Sequence, residues 1–414
     1  MKKIIYAIVL ICLFSVKTSA QKKDYSYKFY GQIRGDLYYN SRQNTESVDG
    51  LFCLFPKEVK LDKAGKDING ESNSSLYMLY TRAGLDVTTP KLLGFSPQIK
   101  LEVDFRGSGT NFSIIRLRHA YIKLNKDRNT LLLGQTWHPL FGGVSPKILN
   151  LSTGAPFNPF SRAPQIHYSF SKGNINLMTA IVWQSQFLSL GVDETDINKG
   201  KKSIDYLKKS TIPEVYLGTE YNRGNLKIGA GALLLSIKPR TTAKVEGSVY
   251  KVNERITSLS YQVYGSYTNS IWFVGMKSLV ASNLTQTSSL GGFGVTGVNK
   301  QNGEREYTPI KYFNNWLNIV HGKKWKKGLF AGYAKRMDTS KDLIQETIYA
   351  VGGNVDSIIN LGIDLTYNIS NFKAGVEYTY TAAQYGTISK EKARIVNTNK
   401  ADNHRLVGTV IYQF

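Results

Sequence analysis

HRLVGTVIYQF, His404 to Phe414, closes the sequence. Leu406, Gly408, Val410, Tyr412 and Phe414 fall on one face of an extended segment, because side chains two apart in a strand point the same way. Arg405, Thr409 and Gln413 fall on the other, with Val407 and Ile411 as apolar exceptions. Chain ends fray unless something ties them down. An alternating segment in this position therefore raises the question of what it pairs with.

The same period of two runs through most of the chain. Ile99, Leu101, Val103 and Phe105 alternate with Lys100, Glu102, Asp104 and Arg106, and Phe372, Ala374, Val376, Tyr378 and Tyr380 alternate with Lys373, Gly375, Glu377, Thr379 and Thr381. By alternation and flanking turn residues, about sixteen such segments are predicted. Their connections sort by parity. After even-numbered segments they are mostly brief, as at 125–129, 171–173, 222–224 and 268–270, whereas after most odd-numbered ones they are long, as at 41–75, 138–164, 185–212, 238–255, 282–308, 337–357 and 383–403. Short turns at one end and long loops at the other are the pattern of a bacterial outer-membrane barrel. The expected fold is all-β: a transmembrane antiparallel β-barrel of about 16 strands with short periplasmic turns and long extracellular loops.

A closed barrel must pair its last strand with its first, since an open edge in lipid leaves backbone groups unsatisfied. Tyr27–Asn40 can supply that partner, with Phe29, Ile33, Leu37 and Tyr39 on one face. Phe414 then falls in the interfacial aromatic girdle, to which Trp183, Trp272, Trp316, Tyr378 and Tyr412 are also assigned. A final Phe with an aromatic two residues earlier resembles the terminal assembly signal of outer-membrane barrels, which implies the assembly machinery as a partner of this strand.

Composition agrees. Lys2 and Lys3, an apolar run from Ile4 to Val16 and the small residues Thr18-Ser19-Ala20 read as a signal peptide over 1–20, leaving 21–414 as a single barrel domain. The leader holds Lys2, Lys3 and Lys17 and no acid, so residues 21–414 carry 50 bases against 30 acids. Only Cys53 remains there, which excludes an intramolecular disulfide framework. No later apolar run reaches the 18 residues of a helical span. The 26 tyrosines and 37 glycines suit a β protein.

A barrel of this size holds an aqueous lumen. The third outer loop, 138–164, contains Lys147 and Arg162 and no Asp or Glu; its place in the order suggests that it folds inward and forms a constriction with His138, Lys147 and Arg162. On the predicted lumen face of the first four strands lie Arg34, Arg82, Lys100, Arg106, Arg116 and Arg118, against Asp36, Asp86, Glu102 and Asp104. Six bases against four acids favour anions in a confined passage. Nine bases in the short turns, Lys326 among them, read as solvated charge. His119 is a further candidate for an anion when protonated, against the plainer reading of a hydrogen-bonded wall histidine. The five histidines show no metal-ligand spacing, and neither a phosphate loop nor a G-x-S-x-G element is present. The bases are not interleaved with aromatics as a nucleic-acid platform requires.

IIRLRHAYIKL (Ile114–Leu124) followed by LLLGQTWHPLF (Leu131–Phe141) resembles a segment of DcaP-like and phosphate-selective porins, carried by Arg116, Arg118, His119, Gln135 and Trp137. The resemblance implies a homotrimeric outer-membrane channel for small anionic solutes, embedded in lipid and lipopolysaccharide, with no cofactor. His138-Pro139 and the acid-free loop depart from the pattern, so no particular solute carries over. Two other readings stay open: a barrel enzyme of lipase or protease type, for which Ser145 near His138 is the candidate pair, and a plugged-barrel adhesin.

Overall fold

The alternation builds a wall. In the computed structural model, which describes residues 25–47, 50–108 and 111–414, sixteen antiparallel strands close on themselves. The expected signal peptide, 1–20, lies outside the described residues. Numbering the wall strands alone, the first eight are β1 (Ser26–Asn40), β2 (Asn73–Tyr77, resumed as Arg82–Thr88), β3 (Ser96–Ser108), β4 (Asn111–Lys126), β5 (Asn129–Trp137), β6 (Arg162–Lys172), β7 (Ile175–Val182) and β8 (Glu214–Arg223). The rest are β9 (Leu226–Ile237), β10 (Ile256–Thr268), β11 (Trp272–Ser282), β12 (Arg305–Gly322), β13 (Trp325–Met337), β14 (Val355–Ile369), β15 (Phe372–Ile388) and β16 (Ile395–Gln413).

Closure lies where the alternation predicts it. β1 pairs with β16 from Gln32↔Gln413 to Asn40↔Arg405. Gly31 and Phe414 exchange both backbone hydrogen bonds, at 2.9 and 3.1 Å. Gly31 has no side chain for a reason: a Cβ there would lie 2.6 Å from the Phe414 ring. The chain end is thus the seam of the cylinder, with no free edge left in the wall.

Sidedness follows from the pleat. Leu101 is 48% exposed whereas Glu102 and Asp104, its neighbours on the other face, are 5% and 0% exposed. The outward face carries Phe29, Ile33, Leu37, Leu217, Leu329 and Val410, all exposed, as a lipid-facing wall requires. Trp183, Trp272, Tyr378 and Tyr412 are on that face. Trp316 is not. The even-numbered residues of β12 point inward, and Trp316 is buried there with its indole N–H donating to Asn158 Oδ1 at 3.3 Å.

The long connections share one end and pack into a cap. Short strands in them pair locally, as Asn44–Ser47 with Phe52–Pro56 and Leu190–Asp193 with Asp196–Lys202. Leu190, Val192, Tyr206, Phe293 and Tyr349 form an apolar core among the fourth, sixth and seventh loops and the ends of β9 and β10. Two odd-numbered connections break the parity by being short: the one after β3, and the one after β15, where both strands continue through most of the expected loop 383–403 and pair as far as Ile388↔Ile395, leaving only 389–394 between them.

Candidate functional site

Loop 138–161 runs through the barrel instead of over it. Its apolar side chains meet the inner wall and the first loop: Val144 and Phe157 pack with Tyr264, Phe273, Trp316 and Phe330, and Phe141 and Phe160 pack with Tyr38, Leu79 and Val407 and with Phe52 of the first loop. Gly332 makes room for this, since a Cβ there would lie 2.5 Å from the Phe157 ring. A loop crossing a lumen brings buried backbone polar groups with it, and each needs a partner. The wall supplies them. Lys277 Nζ donates to the carbonyls of Leu140 and Phe141 at 3.0 and 2.7 Å. Glu377 Oε2 accepts from the amides of Leu149 and Asn150 at 2.6 and 3.1 Å. Asn318 Oδ1 accepts from Lys147 N at 2.7 Å, and Arg34 donates to Leu149 O at 2.7 Å.

His138 fixes the start of the loop. Its Nδ1 accepts from Leu140 N at 3.2 Å, so the ring proton sits on Nε2 and is donated to Glu214, 3.0 Å away. Both nitrogens are committed, which leaves no free base there to activate Ser145.

Beside the loop, charge concentrates on β1–β6. Arg116 grips Asp104 with two hydrogen bonds of 2.8 and 2.7 Å, and Arg118 bridges Glu102 and Asp104 at 2.5 and 2.7 Å. Arg34 clamps Asp36 at 2.8 Å, and Lys100 meets Asp86 at 2.6 Å and the Tyr30 hydroxyl at 2.9 Å. Arg82 has only a 3.5 Å contact with the already engaged Glu102. Arg162 meets no carboxylate among the described residues: it donates to Gln186 Oε1 at 3.3 Å and lies 3.6 Å from the Trp137 ring centre. Trp137 stacks in turn on Phe141 at 3.9 Å. Five guanidiniums, Arg34, Arg82, Arg116, Arg118 and Arg162, therefore answer to three carboxylates, Asp36, Glu102 and Asp104. Arg106 stands apart near the short connection after β3, with no ion pair among the described residues. His119 has Nδ1 3.0 Å from Thr136 Oγ1 and its ring edge-on to Tyr121 and Trp137.

A local irregularity helps assemble this cluster. β2 is broken at 78–81, where Tyr80 takes φ 68°. The bulge turns Tyr80 into the barrel, where its buried ring faces the Arg116 guanidinium at 5.3 Å.

Comparison with known proteins places this architecture. The DcaP outer-membrane channel of Acinetobacter baumannii matches at TM-score 0.67 and 18% identity, over 95% of this chain and 99% of that one. The chain has the fold of an outer-membrane porin. An anion-selective porin from Comamonas acidovorans matches this porin fold at TM-score 0.52 and 12% identity, over 94% of this chain and all of the other. A trimer form of OmpT, an outer-membrane protein of Vibrio cholerae, matches at 0.55 and 13%, over 94% and 99%. No family model and no curated protein matches the sequence.

The sequence reading overlooked Lys277, Glu214 and Glu377. All three sit on the inner face of their strands, so alternation alone flags them, but what they bind is a loop more than 70 residues away. Beside Glu377, between that loop and β13–β16, lies a void of about 20 Å³, lined by Asn150, Asn360, Glu377, Thr379 and Arg405, room for about one water.

Proposed function

We propose that this porin passes small hydrophilic solutes by passive diffusion and favours anions, with the loop 138–161 as its constriction and no covalent chemistry. One observation carries the preference: Glu214, Glu220 and Glu377, acids that meet the loop, are each engaged by hydrogen bonds or ion pairs, while the guanidiniums beside it are in surplus. Glu214 is taken by His138 and Gln184, Glu377 by two loop amides, and Glu220 by Lys227 and Tyr264. Arg82 and Arg162 lack a carboxylate of their own. Such a surplus in a narrow, low-dielectric passage raises the local concentration of anions and opposes cations. The anion-selective Comamonas porin has the same fold, and the trimeric OmpT form supports a homotrimer here. We place the assembly in the outer membrane, against lipid and lipopolysaccharide, reached through the leader 1–20 and the closing strand β16.

Liposome swelling tests the preference at constant solute size. Gluconate should enter faster than glucose, and glucose faster than protonated glucosamine. The reverse order overturns the electrostatic reading, and no swelling with any of the three overturns the channel.

A further inference from the structure

The outer wall carries a feature that conduction does not use. The turn joining β12 to β13 reads HGKKWKKG, His321 to Gly328. Lys323 and Lys324 form its tip, and Trp325, Lys327 and Leu329 follow on the exposed outward face of β13, while Lys326 turns inward. Lys323, Lys324 and Lys327 are exposed, with no ion pair and no side-chain hydrogen bond among the described residues. Lys324 rests over the Tyr367 ring at 5.5 Å, and Tyr367 packs against Trp325 at 4.8 Å. The turn is held in place on both sides: Asn368 N donates to Lys324 O and Gly322 N to Ile271 O, each at 2.8 Å.

An apolar groove leads away from these lysines. Lys327 pairs across the sheet with Leu365, Leu365 with Val376, Val376 with Gly408 and Gly408 with Leu37. One row of outward positions therefore crosses from the turn to the seam. Because barrel strands tilt, the row climbs as it goes: Lys327 is near the start of β13, whereas Leu37 lies in the loop-side half of β1. Small residues hollow the wall along it. Gly35, Ala374 and Gly408 interrupt the aliphatic surface, and a Cβ on Gly408 would meet nothing within 4 Å. With Trp325 and Tyr367 at its foot, the hollow measures about 680 Å³, well within the range of ligand sites.

We propose that this surface holds one anionic phospholipid of the turn-side leaflet, its phosphate against Lys323, Lys324 and Lys327 and one acyl chain along the groove. Lysines clustered at a membrane surface attract acidic headgroups, and Lys327 reaches headgroup level by laying its stem along the apolar wall. A zwitterionic lipid brings an ammonium of its own to the lysines, so a headgroup with net negative charge is preferred. Charge also argues against the other occupant of an apolar wall, a second copy of this chain. Its short turns hold a single acid, Asp127, among the described residues, so two copies meeting here bring like charge to like charge. The site faces lipid and is independent of the anion preference inside the barrel.

Native mass spectrometry of the purified full-length protein counts bound lipid during titration with phosphatidylglycerol and with phosphatidylcholine of the same acyl chains. Phosphatidylglycerol should bind at one site per chain about tenfold or more tighter than phosphatidylcholine. Replacing Lys323, Lys324 and Lys327 together by Gln should remove that preference, and replacing them by Arg should keep it, which excludes misfolding as the cause. Gly408→Leu fills the groove and should weaken both lipids while leaving the preference between them. Equal binding of the two lipids by the wild type overturns the site. So does a preference that survives in the Gln triple variant, or one that is lost in the Arg variant as well. If Gly408→Leu changes the number of chains per assembly and leaves phosphatidylglycerol binding as it was, the groove is a contact between copies and the lipid assignment falls.

Discussion

Replacing Glu377 by Ala should loosen the loop inside the barrel. One oxygen of Glu377 accepts both the Leu149 and the Asn150 amide, in a site from which water is largely excluded. Truncation leaves two buried N–H donors without an acceptor, at about 1–3 kcal/mol each and so about 2–6 kcal/mol together. Even the lower bound multiplies the detached population of the loop about thirtyfold. Because the void beside Glu377 holds about one water, detachment there opens a wider gap between loop and wall. Single-channel recording of Glu377→Ala should show a higher mean conductance with added flicker. Glu377→Gln is the control, since its one carbonyl oxygen can take the place of Oε2 and accept both amides; it should conduct like the wild type. A Glu377→Ala channel with unchanged conductance and quiet openings would refute the tether. So would a Gln variant as noisy as the Ala variant.

Other perturbations probe the same frame. Gly332→Val directs its side chain at the Phe157 ring, which lies 2.5 Å from the position a Cβ would take, and overpacking of this kind costs about 1–3 kcal/mol; a lowered thermal midpoint in detergent is expected, and an unchanged one contradicts the socket. Burial pushes the Cys53 thiol up, so a maleimide should fail to label the folded protein near neutral pH and should label it fully after unfolding. Arg394 bonds Asp338 at 2.7 Å and holds its carboxyl below the usual range. A carboxyl depressed in the folded state supports structure above its unfolded pKa, about 3.9, and loses that support only as pH falls through the lower folded value. Amide protection of Thr339 and Leu343, which bond across to Lys392 and Lys390, should therefore be unchanged between about pH 7 and pH 5 and should fall in Asp338→Asn.

The wall was legible because lipid outside and water inside impose one rule on every strand. Ile99, Leu101 and Val410 obey it, and the pairing of Phe414 with Gly31 follows from closure. Faces were legible too: Arg116 and Arg118 lie inside with Glu102 and Asp104, as the alternation requires. Contacts across the lumen were not. Trp316 reads as a girdle residue until Phe157 and Asn158 are brought against it from 158 residues away. Lys326 reads as solvated turn charge until β13 and β15 place it in a cavity with Lys373. Local sequence carries the direction of a side chain in a strand, but not what an inward loop will set opposite it. Likewise, no feature around Tyr80 announces the positive φ that turns it into the barrel.

The most direct test is the reversal potential of the purified protein in a planar bilayer under a potassium chloride gradient. A lumen whose bases exceed its acids at the constriction should set the zero-current voltage on the chloride side, and Arg82→Gln with Arg162→Gln should move it toward zero. A zero-current voltage on the potassium side in the wild type would contradict the central claim.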